Sequence, residues 1–494
     1  MVPLVFQMYF GEVTIEFWEY LLAFAYGLVL YIYFSRKKNQ RLKEHPEYQY
    51  FLWGLLIKMV GGVVFSNVYF FYYPGGDTMS YFYGGVAMGN LAWVHPFEYL
   101  RQMLGDNSYR AWLMYTLDTK KPFEYMFYDD RTFFVLRVVS VLAFLTLKSY
   151  LTCTVVIASL SYFGIWSCYR TFVSYFPSIQ GRLAIAFLFM PSVVFWGSSI
   201  LKDTFTFAAV CWWVHAVDEL FFKKRNIVRN AIVAALSMVV MIGIKPYIFM
   251  VLMPATLLWL THRRIVKIRS SVIKFMIAPA FIALTMAVSI LLLNSLGDKL
   301  GKFSLDNALE GIEGIQGDLL HSEGYSDNKF DIGEFNGTWW GVLSKFPVAV
   351  NATLFRPYIW EARSVVIMMS ALENLCILCF VIYTVLKVGP RFLMRAMLNN
   401  SLILMSMTFA LLFSFVVGIT TPNFGAMVRF KIPMLPFLMS SLFIILHLYE
   451  IKTKMAGRGR TFQFRDFRDG SGHIAGPRKK LAKGGRNTRG HAMG

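Results

Sequence analysis

At 494 residues, with 56% hydrophobic and only 16% charged, the chain is too apolar for an ordinary soluble enzyme of its size. The 49 Lys and Arg against 29 Asp and Glu give a formal charge of +20. In a soluble protein that would point to nucleic acid; in a chain built from repeated apolar runs, it raises the question of which side of a bilayer the cations occupy.

A helix needs about 20 apolar residues to cross the hydrocarbon core. In chain order, eleven segments approach that length: 15–35, 51–73, 149–168, 183–200, 204–222, 231–245, 247–260, 275–297, 365–386, 401–421 and 433–450. Glu12 and Glu16, not a basic region, precede the first, which argues against a cleavable signal. Every second connection is basic: 36–43, 223–230, 261–274, 387–395 and the tail after Ile451. Cations gather on the cytoplasmic side, so the N-terminus is expected outside and the C-terminus in the cytoplasm. The pair 231–245 and 247–260 is short, and basic flanks on both sides call for a hairpin turning at Lys245-Pro246. The fold class is therefore an all-α integral membrane protein with about eleven transmembrane helices over residues 1–450.

Two long outer segments remain, 74–131 and 298–363, and loops of that length are usually functional. In the first, PFEYLRQML and YRAWLMYTL read as short interfacial helices, and 133–147 as a further one. Residues 451–494 are basic and Gly-rich, and read as a disordered cytoplasmic tail attracted to lipid headgroups. Cys153, Cys168, Cys211, Cys376 and Cys379 all fall in apolar runs, so no disulfide framework shows, and the C-x-x-C spacing of the last two reads as helix packing.

Under this topology five outer junctions carry charge. They hold Asp77 in PGGDTMSYFYGG, Lys202 and Asp203 in SSILKDTF, Lys245, Arg356 and Glu361 in LFRPYIWEARS, and Arg429 and Lys431 in RFKIPMLPF. Several have a plain structural reading: Asp77 and Asp203 as helix caps, Lys202 as a snorkelling cation, and Arg429 and Lys431 as helix-end anchors. Charge at membrane depth is costly, however, and five such junctions on one face point to a shared site. The two glycines before Asp77 allow a sharp turn that projects the carboxylate into a cavity.

At these residues the sequence resembles the membrane-embedded glycosyltransferases of the GT-C fold, the class that includes protein O-mannosyltransferases and aminoarabinose transferases. The likeness rests on Asp77 in GGDTMSYF, just after an early span, on the multi-span core, and on RFKIPMLP (Arg429 to Pro436) near the end. It covers the layout of residues 50 to 450. PSVVFWGSSILKDT also resembles uncharacterised multi-span proteins of the Bacteroidetes type. Thr78 stands where many GT-C members carry a second acid, which leaves a divalent metal open; no other cofactor is called for.

The resemblance implies transfer of a sugar, with inversion, from a polyprenyl-phosphate carrier to a glycan, lipid or protein acceptor outside a bacterial inner membrane. Asp77 is then the base, with Asp203 in reserve. Lys202, Lys245, Arg356, Arg429 and Lys431 are the candidates for the donor phosphate, and Tyr81, Tyr83, Trp360 and Glu361 for sugar or acceptor contact. Rival readings are a polysaccharide polymerase or ligase using a lipid-linked glycan, and a transporter or flippase of such a glycan. No motif for serine or zinc hydrolysis, or for nucleotide hydrolysis, has usable context.

Overall fold

The computed structural model describes residues 13–73, 75–267, 330, 338–462 and 464, without the side chains of 263–267 and 339. The expected span 275–297, most of the outer segment 298–363 and the tail from 465 lie outside the described residues. Every regular element among those described is a helix.

Among the described residues, eight helices are long and apolar enough to cross a membrane: Phe17–Arg41, Pro46–Tyr72, Tyr150–Tyr175, Lys202–Lys223, Ile227–Ile244, Val365–Val388, Ser401–Thr420 and Leu435–Ala456. They coincide with eight of the expected segments, and the chain is a multi-pass helical membrane protein. Several starts were written locally. Ser149, Ser364 and Asn400 each turn a side-chain oxygen onto first-turn N–H groups, at 3.2, 3.3 and 3.1 Å. Tyr150–Tyr175 is the hub, 78% buried over its apolar window, whereas Phe17–Arg41 is 17% buried and shows Phe17, Leu21 and Phe24 to the outside. A helix that exposes such side chains is stable only against lipid.

Contacts between helix ends sort the connections into two groups. At one end Arg170 meets Glu47 at 3.2 Å, Ser178 meets His447 at 2.8 Å, Arg182 meets Glu450 at 3.1 Å, and His262 meets the Leu398 carbonyl at 2.8 Å. At the other, Ser149 donates to Glu19 at 2.8 Å, Thr78 bonds both Tyr150 and Ser199 at 2.9 Å, and Tyr73 meets Ser364 at 3.4 Å. The basic connections 36–43, 223–225 and 387–395 belong to the first end. The acid-bearing junctions belong to the second.

Two expectations change. Segment 183–200 is not one helix: Gln180–Ala184 passes through a π-helical stretch, Ile185–Phe189, and restarts at Pro191–Trp196 after an extended Met190. Proline lacks an N–H and pushes the residue before it out of helical geometry. The broken backbone is satisfied from outside. Glu373 Oε2 accepts from Ser192 N at 3.0 Å at the start of the short helix, and Lys58 Nζ donates to the carbonyls of Val193 and Gly197 at its end. An anion at the N-terminus and a cation at the C-terminus suit the helix dipole, and bonding of this kind is what irregular backbone inside a membrane bundle requires. The partner of the Lys245 hairpin, Pro246–His262, is a shorter apolar helix.

The second change is in the first outer segment. Helices Pro96–Met103, Tyr109–Leu113 and Asp130–Leu145 match the expected short ones, but Asp77–Val94 is an additional 18-residue helix packed along Asp130–Leu145. The approach is close because Gly85 faces Val139: a Cβ there would lie 2.5 Å from the Val139 Cγ1 and 3.2 Å from its carbonyl carbon. Replacing Gly85 with Val is expected to part the two helices and cost about 1–3 kcal/mol. The check is the thermal midpoint in detergent, with Gly27→Val unchanged, since nothing lies within 4 Å of a Cβ at Gly27.

Candidate active site

Four of the junction residues meet. Asp77 opens the Asp77–Val94 helix, Asp203 lies in the first turn of Lys202–Val217, Lys245 ends Ile227–Ile244, and Arg429 lies near the end of the short helix Phe424–Phe430. Arg429 Nη1 donates to Asp77 Oδ2 at 2.9 Å, and Lys245 Nζ to Asp203 Oδ1 at 2.5 Å. Arg429 Nε lies 3.1 Å from Asp203 Oδ2, within ion-pair distance but outside hydrogen-bond geometry, so both atoms are buried without a directed partner in the protein. Two acids and two cations balance. The Lys245 ammonium also sits 3.7 Å from the centre of the Phe430 ring.

Exposure divides the roles. The Asp77 side chain is 42% exposed and that of Arg429 19%, while Asp203 and Lys245 are 2% and 8%. Asp77 and Arg429 are thus the accessible half of the cluster, and Asp203 and Lys245 the buried half.

Neither acid is a helix cap. The N-caps are Gly76 and Leu201, and both carboxylates are spent on ion pairs. Gly76 has φ 135° and ψ 176°, a region essentially reserved for glycine, and a Cβ there would also strike the Tyr69 ring at 2.8 Å. Thr78 is fully buried, and its bonds to Tyr150 and Ser199 pin the start of this helix against the turn before Lys202. Arg429 then bridges Asp77 and Asp203, which come from two different helices.

The remaining candidates have other partners. Lys202 Nζ binds Asp129 at 3.1 Å and Thr132 Oγ1 at 2.7 Å. Tyr81 lies within electrostatic reach of Asp77, Arg429 and Asp203 but is only 5% exposed. Tyr83 packs on Phe123 at 5.3 Å. Arg356 is held by Glu361 through Nε at 3.0 Å, and its guanidinium stacks over Phe330 and over Phe424, the first residue of the helix carrying Arg429. Trp360, 81% exposed, stacks on Tyr358. Lys431 has none of Arg429's partners: fully buried, it donates to Asn374 Oδ1 at 2.6 Å and to the Thr353 carbonyl at 3.1 Å. It is a brace for the loop, out of reach of any ligand at Asp77.

Sequence reasoning missed Asp129, the N-cap of Asp130–Leu145, which accepts from Thr132 N at 3.2 Å; the run DDRT before an apolar stretch was its signal. Among the described residues no group of three or more His, Cys, Asp or Glu gathers where it could hold a metal; the cation between Asp77 and Asp203 is Arg429. The chain matches no protein-family model, no curated protein and no solved structure.

Removing one partner of a buried ion pair strands the other, so Lys245→Met is expected to cost about 3 kcal/mol or more. The double variant Asp203→Asn, Lys245→Met should recover part of that loss, read as a double-mutant cycle of unfolding midpoints. Asp129 gives a pH signature. Burial alone would raise its carboxyl, but the Thr132 hydrogen bonds and the Lys202 charge outweigh burial and hold it below its ordinary 3.8. A depressed carboxyl stabilises the fold above its unfolded value and loses that contribution as pH falls through the folded one. Wild type should thus be more stable than Asp129→Asn at neutral pH, and the gap should close as pH is lowered through 3.8 and beyond.

Proposed function

We propose that the protein is an inverting membrane glycosyltransferase of the GT-C type, moving a sugar from a polyprenyl-phosphate donor to an acceptor on the extracytoplasmic side of a bacterial inner membrane. The observation that carries this reading is the convergence of Asp77, Asp203, Lys245 and Arg429 from four separate chain segments. The bias of cations toward the cytoplasm supports an outer position for the cluster, since the basic connections lie at the opposite end of the bundle.

The chemistry requires a proton acceptor beside the nucleophile and a cation at the leaving phosphate. Asp77 takes the proton of the acceptor hydroxyl as its oxygen attacks the anomeric carbon. The bond from that carbon to the phosphate oxygen breaks, and the electron pair leaves with the polyprenyl phosphate. Arg429 spends one N–H on Asp77, and other donors of its planar fork remain for phosphate oxygens. Lys202, tied to Asp129 at the rim, adds a point charge. Asp203 and Lys245 position the guanidinium, and Trp360 offers an open ring face for a sugar. Arg356 and Lys431, committed to Glu361 and to Asn374, shape the wall.

The test is transfer from labelled polyprenyl-phosphate sugars by the full chain in proteoliposomes. Asp77→Asn is expected to lower transfer by about 10²–10⁴-fold, the range of general-base catalysis. Arg429→Ala should lower it by about 10²–10³-fold, as for loss of a charge-stabilising donor. Undiminished transfer by both variants overturns the site, and no donor consumption by wild type overturns the enzyme reading. A product carrying many sugars from one lipid-linked glycan would assign a polymerase or ligase instead.

A further inference from the structure

At the opposite end of the bundle the chain folds back after its last span and closes a cavity of about 510 Å³, within the roughly 300–1,000 Å³ of ligand pockets. Its walls come from the end of Val365–Val388, the amphipathic helix Pro390–Asn399, the last turns of Leu435–Ala456, and Phe462 and Phe464. Three cations line it, Arg391, Arg395 and Lys452, and among the described residues no acid lines it. Arg391 and Arg395 are four residues apart and so share one helix face. The nearest acid on the last span, Glu450, is turned away onto Arg182 at 3.1 Å. The other wall is aromatic: Phe464 packs on Phe392 with ring centres 5.2 Å apart, Phe462 on Phe464 at 5.0 Å, and Lys452 Nζ lies 5.0 Å from the centre of Phe392.

Three like charges around one hollow repel one another unless an anion stands between them. Two guanidinium forks and an ammonium suit phosphate oxygens, and the phenyl wall suits the apolar part of an amphiphile. The cavity also lies where the apolar helices Val365–Val388 and Leu435–Ala456 end, the kind of position from which basic side chains meet anionic headgroups. We propose that this cavity, formed by Arg391, Arg395 and Lys452 against the Phe392–Phe464 wall, binds a phosphate-bearing anion at the basic membrane surface. The site is independent of the Asp77 cluster and of the reaction proposed there.

The test uses the full chain in detergent, mixed with phosphatidylglycerol and phosphatidylcholine, with retained lipid counted by native mass spectrometry. Wild type should retain phosphatidylglycerol preferentially. Arg391→Gln with Arg395→Gln should weaken that retention by roughly tenfold or more, since each cation near an anionic surface contributes substantially. Phe464→Ala should weaken it without changing charge. Arg36→Gln with Lys43→Gln, which removes two exposed charges at the same end but outside the cavity, should leave it within about twofold. Competition by glycerol 3-phosphate would make the ligand a soluble phosphate, and its failure to compete would make it a lipid headgroup. Equal loss in the two double variants, or retention unchanged in a folded Arg391→Gln, Arg395→Gln protein, overturns the proposal. So does a wild type that retains neither phosphate source.

Discussion

A charge withdrawn from water must find its opposite, and the Asp77–Arg429–Asp203–Lys245 cluster is how this bundle meets that demand. Arg429 lies between two acids, one open to ligand and one sealed. Because the sealed acid is balanced by Lys245, the guanidinium is held from behind without being neutralised there. Its outward donors can then be shared with whatever occupies the mouth. Four helix ends are tied together by this exchange, so the cluster serves both the fold and the chemistry proposed for it.

The same demand governs the backbone. The break at Met190-Pro191 strips a helix of its internal bonds in the middle of an apolar bundle, and Glu373 and Lys58 replace them from neighbouring spans. Those two charged side chains look out of place in apolar runs, yet each acts as a cap. The short helix they hold leads directly into the turn 197–201, where Ser199 meets Thr78. Support for the site thus begins at the break, which lets the chain reach Lys202 and Asp203 by a turn buried among other helices.

Much of this was legible beforehand. Runs of apolar residues locate eight spans, and caps such as Ser149, Ser364 and Asn400 mark their starts. Gly75-Gly76 announced a turn, and the positive φ at both residues is that turn. A helix beginning at Asp77 was legible in the plain reading of that acid as a cap, but its 18-residue extent was not, because glycine and polar residues dilute its pattern; it is stabilised by close packing on Asp130–Leu145, which local sequence does not encode. The pairing of Lys202 with Asp129, and of Arg356 with Glu361, was equally invisible, since a charge shows its position in sequence but not its partner.

By itself, then, the sequence determined that the chain is a helical membrane protein, where most of its spans lie, and that charged residues recur at one set of junctions. Hydrophobicity and charge bias are properties of short stretches, and they act before any tertiary contact forms. Which of those charges share a site was decided only in three dimensions. Arg429 and Lys431 are two residues apart and have different neighbours, because one faces the carboxylates of Asp77 and Asp203 and the other the Thr353 carbonyl and the Asn374 side-chain oxygen, from two other helices. Convergence of residues more than 350 positions apart, as Asp77 and Arg429 are, depends on how the helices pack, and packing is settled by shape and by the pairing of buried charge across the whole bundle.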